Sequence, residues 1–411
     1  MLNKIKQFDW KKFDYFLLVA VVLLCLIGAF VVRLAGGEES GASYMKGQII
    51  GMILGFFIVA GLSMLDYHFL CKFSAVYYLV GLLLTVATHT VIGTDNNTDA
   101  YRWINLGGIT FQPAELMKII FIISLATLFV KLRYRLERFS TLVIVGAVTV
   151  LPVLLIMSQP DLSSSLVVIF IMVVLVVVGG ISYRILAPVI GVAIPLIAAL
   201  FWYIQQPYNK ILQNYQYDRV MAWLHPKTYV SSRGLTAADL NLQQNKALRA
   251  IASGGLTGKF LQDGGESKTS RIYESIPVNE SDFIWSVIGE EFGFLGCCFI
   301  LVLFAFIIFR CFTIAKKSQD YLGKLIAAGV ASMLVFQVFA NISVVTLIFP
   351  NTGLPLPFVS NGLSSMVSAM MGIGLVMNVG IQPAKSSKGG FSMRHMYGND
   401  PTSSIDIDLE L

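Results

Sequence analysis

Ten stretches of the chain are apolar over nearly their whole length. They run near 14–34, 47–65, 73–93, 113–131, 140–158, 163–182, 185–204, 283–312, 321–349 and 363–382. A helix needs about 20 mostly apolar residues to cross a bilayer. The pattern therefore predicts an all-α polytopic membrane protein with ten transmembrane helices. A large polar segment, 205–282, interrupts it between helices 7 and 8. The two longest stretches exceed what a crossing needs and are expected to include turns or tilt. The fourth is the least apolar, because it carries Glu115 and Lys118. Residues 1–382 are expected to form one membrane domain, and the polar remainder, 383–411, a disordered tail.

Composition agrees with this pattern and excludes its rivals. Hydrophobic residues make up 56% of the 411 and charged residues 13%, whereas soluble domains average about 25% charged. A soluble enzyme, a disordered chain and a secreted disulfide scaffold are all excluded. The net charge of +6 is no sign of a nucleic-acid partner, since in such a chain basic residues report sidedness. With the N-terminus inside, seventeen Lys and Arg fall on the inner side. Three (Arg33, Lys46 and Arg102) fall in short outer loops. The positive-inside rule then places both termini in the cytoplasm and 205–282 outside. That outer segment carries nine more basic residues and lays a basic surface over the outer leaflet. Within it, the apolar spacing over Asn241–Ser253 predicts a short amphipathic helix at the interface. The five cysteines have no zinc-like spacing and read as small buried residues. The four histidines form no pair with ligand spacing.

Polar residues that could carry chemistry gather at the outer ends of the spans. Glu115 and Lys118, three apart, share a helix face; they are either a structural ion pair or the wall of a substrate cavity. Arg102-Trp103 could anchor the chain at the interface or contact a headgroup. Asp161, before Leu-Ser-Ser-Ser, reads as the N-cap of span 6. Asp282 sits where the outer segment joins span 8, as an N-cap or as a reactive group. Glu290 and Glu291 lie about two turns further in, where adjacent carboxylates are hard to explain by packing. The segment Phe349–Ser365 holds too many prolines and glycines for a helix. Near membrane depth it must be buried in protein or line a wet cavity.

Eight motifs in order then identify a resemblance. They are Arg102-Trp103; Gln112-Pro113-x-Glu115-x-x-Lys118; Gln159-Pro160-Asp161-Leu162; Tyr215-Gln216-x-x-Arg219; Ser253-Gly254-Gly255-Leu256-x-Gly258; Ser281-Asp282-Phe283-Ile284; Glu290-Glu291-x-Gly293-Phe294-x-Gly296; and Pro350-x-Thr352-Gly353-Leu354-Pro355-Leu356-Pro357-Phe358-x-Ser360. Over about 14–382 the chain resembles the SEDS family of bacterial membrane proteins (shape, elongation, division and sporulation; the RodA/FtsW/SpoVE group). The Thr-Gly-Leu-Pro-Leu-Pro run leans towards the elongation type. Departures are Glu280-Ser281 where the family has His-Thr, Ser163-Ser164 where it has Gly-Thr, and Asn361 and Leu363 near Ser360.

The resemblance implies a peptidoglycan glycosyltransferase of the bacterial cell membrane. Its substrates would be lipid II and the growing glycan on undecaprenyl diphosphate. Its partner would be a class B penicillin-binding protein, a single-pass transpeptidase. Asp282 takes the place of the family's catalytic aspartate. Substrate contacts are expected from Arg102, Trp103, Glu115, Lys118, Asp161, Arg219, Arg249, Lys259, Arg271, Glu290 and Ser360. Asp282 would serve as base, and the cations would neutralise the departing diphosphate. A bound Mg²⁺ or Mn²⁺ could share that task; no organic cofactor is expected. The rival readings are a lipid II flippase and a scaffold without catalysis. A flippase predicts a polar site near the midplane, whereas these motifs cluster at outer ends.

The charge bias makes the topology testable. In a cysteine-free background, single cysteines at Lys227 and Ser387 would be probed on intact cells with an impermeant thiol reagent, after any outer barrier is opened. The cysteine at 227 is expected to react and that at 387 to stay protected; the reverse result overturns the orientation.

Overall fold

The computed structural model describes residues 10–90, 93–94, 102–106, 109–159, 161–206, 212, 214–264 and 271–382. The expected tail, 383–411, lies outside them. The span helices are α1 (Tyr15–Ala35), α2 (Gly37–Met64), α4 (Ser74–Ala87), α5 (Pro113–Lys131), α6 (Phe139–Ser158), α7 (Leu162–Val178), α8 (Tyr183–Ile204), α13 (Ile284–Lys317), α14 (Tyr321–Val345) and α15 (Leu363–Ile381). Eight of these ten are long and apolar enough to cross a membrane; α4 and α7 are apolar but shorter. A short α3 (Tyr67–Lys72) joins α2 to α4. The outer segment forms α9 (Asn214–Leu224), α10 (Ala237–Leu240), α11 (Leu242–Gly254) and α12 (Lys259–Gln262).

Among the described residues the fold is helical apart from one small sheet and an isolated antiparallel bridge between Val230 and Thr236. The connection from α4 to α5 holds a three-stranded antiparallel sheet of β1 (Gly93–Thr94), β2 (Trp103–Leu106) and β3 (Ile109–Phe111). β2 and β3 pair in a hairpin register, Leu106 opposite Ile109 and Ile104 opposite Phe111. The sequence Trp-Ile-Asn-Leu-Gly-Gly-Ile-Thr-Phe carries that signal, with β-formers on either side of two glycines.

Helices α5, α14 and α15 form the centre: 78%, 72% and 78% of their apolar windows are buried, against 6% for α8 at the periphery. The loops on one side of the bundle share a polar clasp. The His68 ring lies between Asp66 Oδ1 at 2.8 Å and Asp320 Oδ2 at 2.7 Å, and Asp320 also caps α14. The opposite ends converge on the candidate site.

Two sequence expectations change. The amphipathic helix exists as α11, but it packs on the start of α13 rather than lying in lipid. Its buried face is Gln244, Ala247, Ala250 and Gly254, while Leu242 and Leu248 point outward. Small residues win because they let two backbones approach closely. The long eighth span is broken at Gly293, whose φ of 62° and ψ of −162° leave the helix. The turn after α11 docks into this break. Phe294 N donates to Gly255 O at 2.9 Å, and Leu295 N to Leu256 O at 3.1 Å. Donors freed at the break are thereby satisfied by protein, as a nonaqueous setting requires.

At Gly258 (φ +80°) a Cβ would stand 2.1 Å from Glu291 O, whereas Gly234 (φ +79°) faces open space. Gly234→Ala therefore costs only backbone strain, about 1–2 kcal/mol, and Gly258→Ala adds an overlap with another segment. Thermal melting of both variants is the check. Gly258→Ala should melt well below Gly234→Ala, and equal losses would show that the docking is not a tight contact.

Candidate active site

Three consecutive carbonyls before α13 are each held by one donor from elsewhere. Asn361 N donates to Glu280 O at 2.8 Å. Ser360 Oγ donates to Ser281 O at 2.6 Å. Asn341 Nδ2 donates to Asp282 O at 3.0 Å and to Leu354 O at 2.7 Å. Ser360 Oγ also accepts from Leu356 N at 2.8 Å. The prolines of 350–357 supply no N–H and admit no helix, so side chains from α14 and the α15 approach satisfy this backbone instead. Val278 and Phe358 hold positive φ angles of 63° and 65°, conformations that non-glycine residues adopt only under constraint.

The carboxylate of Asp282 is left for other use. The first half of α13 has Phe283 at its N-cap position and no side-chain cap, so Asp282 is not its N-cap. Among the described residues it takes one hydrogen bond, from Ser281 Oγ at 3.2 Å. Opposite stands Gly353 (φ +70°), where a Cβ would lie 3.1 Å from Asp282 Oδ2. Glycine there keeps the carboxylate uncovered.

Burial pushes the Asp282 carboxyl up to about 6; Ser281 and the charge of Arg102 pull it down, while Asp161 and Glu280 add to the rise. Arg219 lies in the same field. Burial lowers its guanidinium, Tyr215 and Asp282 raise it, and Arg102 lowers it. Its Nη1 donates to Asn351 O at 3.2 Å, and it sits over the Tyr215 ring. Arg102 Nε donates to Gln159 O at 3.1 Å, at the end of α6. One carboxylate thus lies in the field of two guanidinium groups at one end of the spans.

The other predicted residues divide. Asp161 caps α7 through Ser164 N at 3.0 Å and accepts from Ser164 Oγ and Gln112 Nε2. Trp103 is half-buried in β2. Arg249 is exposed on α11. Lys118 Nζ bonds Glu115 Oε1 at 2.7 Å, with both side chains sealed in the bundle. Lys259, Arg271 and Glu290 are engaged in a clasp, not directed at the Asp282 carboxylate. Glu290 accepts from Lys259 Nζ, Ile272 N and Tyr273 N; Glu291 accepts from Arg271 Nε and Nη2 and from Tyr273 OH. The adjacent carboxylates pin the end of the outer segment to the broken helix.

For a divalent cation the donor set is short. Among the described residues no group of three His, Cys, Asp or Glu is arranged to hold a metal ion, and the Asp161 oxygens already accept hydrogen bonds.

A family model described as a cell cycle protein, FtsW/RodA/SpoVE, matches residues 11–385. The chain belongs to the FtsW/RodA/SpoVE family. This SEDS chain is 30% identical to the peptidoglycan glycosyltransferase MrdB of Escherichia coli K12, covering 92% of this chain and 96% of that one. It is also 30% identical to the probable peptidoglycan glycosyltransferase FtsW of Bacillus subtilis 168, covering 90% and 91%. Among solved structures it matches a chain from a peptidoglycan synthase complex described as coordinating polymerization and crosslinking. That match has a TM-score of 0.73 and 28% identity, over 90% of this chain and 97% of that one. The crystal structure of the rod shape determining protein RodA of Thermus thermophilus matches with a TM-score of 0.62 and 26% identity, over 90% and 98%.

Sequence reasoning passed over Asn341. It sits in an apolar run with no charged neighbour, and its partners are 59 and 13 residues away. Its sequence signal is only one of two amides, Gln337 and Asn341, one turn apart in a central span of this SEDS chain.

The Glu115–Lys118 pair yields a stability prediction. Lys118→Met leaves a sealed carboxylate unpaired, a change that typically costs about 3–5 kcal/mol, and should lower the melting temperature sharply. The double variant Glu115→Gln/Lys118→Met should recover most of the loss. A Lys118→Met protein that melts like the parent yet makes no product would show that the lysine serves substrate instead.

Proposed function

We propose that the chain is an inverting, lipid II-dependent peptidoglycan glycosyltransferase with Asp282 as its general base. One observation carries the assignment of the residue. The Asp282 carboxylate is pinned through its backbone, caps no helix, and lies in the field of Arg102 and Arg219. The relatives' names support the reaction.

In the reaction the GlcNAc 4-hydroxyl of lipid II attacks the anomeric carbon of the growing strand. A new carbon–oxygen bond forms as the bond to the diphosphate breaks, with the electron pair leaving on the diphosphate. Attack from the far face turns an α linkage into a β-1,4 bond. Asp282 takes the hydroxyl proton, and a carboxyl titrating near 6 is suited to accept it at neutral pH. Arg102 and Arg219 balance the charge gathering on the leaving group. The product strand is the chemistry that a class B penicillin-binding protein would cross-link. The protein acts in the cell membrane with both termini in the cytoplasm, as its charge bias supports.

Asp282→Asn keeps the shape and loses the base. Strand synthesis from purified lipid II should fall roughly 10²-fold or more, with expression intact. Wild-type activity should fall as pH drops through about 6, where Asp282 is protonated. The raised carboxyl means that the folded protein prefers the protonated form, so its charge opposes folding at neutral pH. The Asn variant should therefore melt no lower than the parent at pH 7–8. Activity of the Asn variant within a few-fold of wild type would end the assignment.

A further inference from the structure

Beside Arg219 a cavity of about 390 Å³ opens on the outer side. That volume falls in the range of small-ligand sites. Its walls come from α9, α10, α11, residues 275–277 and Asn351. None of these elements is a span. Two of its cations are bonded to neutral oxygens rather than to carboxylates. Arg219 Nη1 donates to Asn351 O, and Lys246 Nζ to Ser275 O at 3.0 Å. Among the described residues, no carboxylate forms an ion pair with either.

Of the remaining charged groups of the cavity one cation is paired, and a single carboxylate, held in a helix cap, stands against the two unpaired cations. Arg233 is matched by Asp218 at 2.9 Å. Asp239 is used in the capping box of α10, where it accepts from Thr236 N and Thr236 Oγ1. Gln243 accepts from Asn351 Nδ2 at 3.1 Å, which leaves its own amide hydrogens without a partner among the described residues. Positive charge and free donors therefore face an open space, and Leu240 and Pro277 add apolar wall. Such a site takes an anion joined to a small aliphatic body.

Its position decides which anion. The diphosphate is tethered to lipid and belongs at the level of the helix ends, where Arg102 bonds Gln159. The cavity stands in the layer beyond, yet it shares Arg219 with the Asp282 field. Asn351 is two residues from the Gly353 that faces the reactive carboxylate. We propose that this cavity is the subsite for the carboxylate-bearing peptide carried by the acceptor's second sugar, with Lys246 as its specificity-determining cation. The proposal rests on the glycosyltransferase reading and names which part of that substrate is held, and where.

The test uses the purified full chain and two forms of lipid II, one with its natural peptide and one with the peptide carboxylates amidated. Loss of one charge-assisted contact in Lys246→Gln should raise KM roughly tenfold for the natural form. The variant-to-parent KM ratio should stay near one for the amidated form, and Lys246→Arg should restore the natural KM. Equal ratios on the two substrates, or no change on either, overturn the proposal. Titration with the free synthetic peptide needs no turnover: it should bind the parent and not Lys246→Gln. Failure to bind the parent, or displacement of bound peptide by inorganic diphosphate, also overturns it. If the parent makes no strands from either substrate yet still binds peptide through Lys246, the polymerase reading fails while the subsite stands.

Discussion

A backbone that leaves the helix inside a membrane protein has no water to turn to, and the irregular stretches around the candidate site are held by side chains and backbone from other segments. The constraint is sharpest at the ends of the spans that meet the candidate site. The proline-rich run 350–357 cannot satisfy its own backbone, so Asn341 and Ser360 bond it. The same two side chains reach across to Ser281 and Asp282. Satisfying one irregular loop therefore fixes the other, and the carboxylate of Asp282 inherits its position. The helix break at Gly293 follows the same logic, with the carbonyls of Gly255 and Leu256 as acceptors.

The spans were legible in the sequence because hydrophobic length is a strong local signal. Apolar stretches and helices agree within a few residues at most ends, and the N-cap at Asp161 was plain from its serines. The outer hairpin was written in Trp103–Phe111 but lost in a reading tuned to helices. The pairings were not legible, because they span too much sequence. His68 meets Asp320 across 252 positions, and Ser360 meets Ser281 across 79. The α11 face was misjudged because hydropathy weighs leucines, whereas close contact there selects alanine and glycine.

At the candidate site the sequence pointed to residues that the fold brings near one another, and it did not separate their roles. Asp282, Arg102 and Arg219 share one field, as their motifs implied. Lys259, Arg271 and Glu290 carry charges that composition alone would offer to substrate, yet Lys259 binds Glu290, and Arg271 binds Glu291 and Asp263. Burial drives that choice. A carboxylate with no exposure, such as Glu290 or Glu291, must find cations and N–H donors in the protein, and the nearest cations of the outer segment are drawn in. Only side chains that retain some exposure remain for a ligand.

The break at Gly293 also sets a height. From Phe294 to Lys317 the helix runs for about 36 Å at 1.5 Å per residue, longer than the roughly 30 Å hydrocarbon core. Lys316 and Lys317 close its far end, and Phe294, Leu295, Phe299, Val302 and Phe309 lie open along it, as lipid contact demands. The inner piece alone can cross the bilayer. The buried piece, Ile284–Phe292, then rises above it like a pedestal, which explains how Glu290 and Glu291 tolerate an apolar run. Sugars need never enter oil to be joined. A carboxylate carried at the top of such a platform, as Asp282 is, stands clear of the hydrocarbon rather than within it.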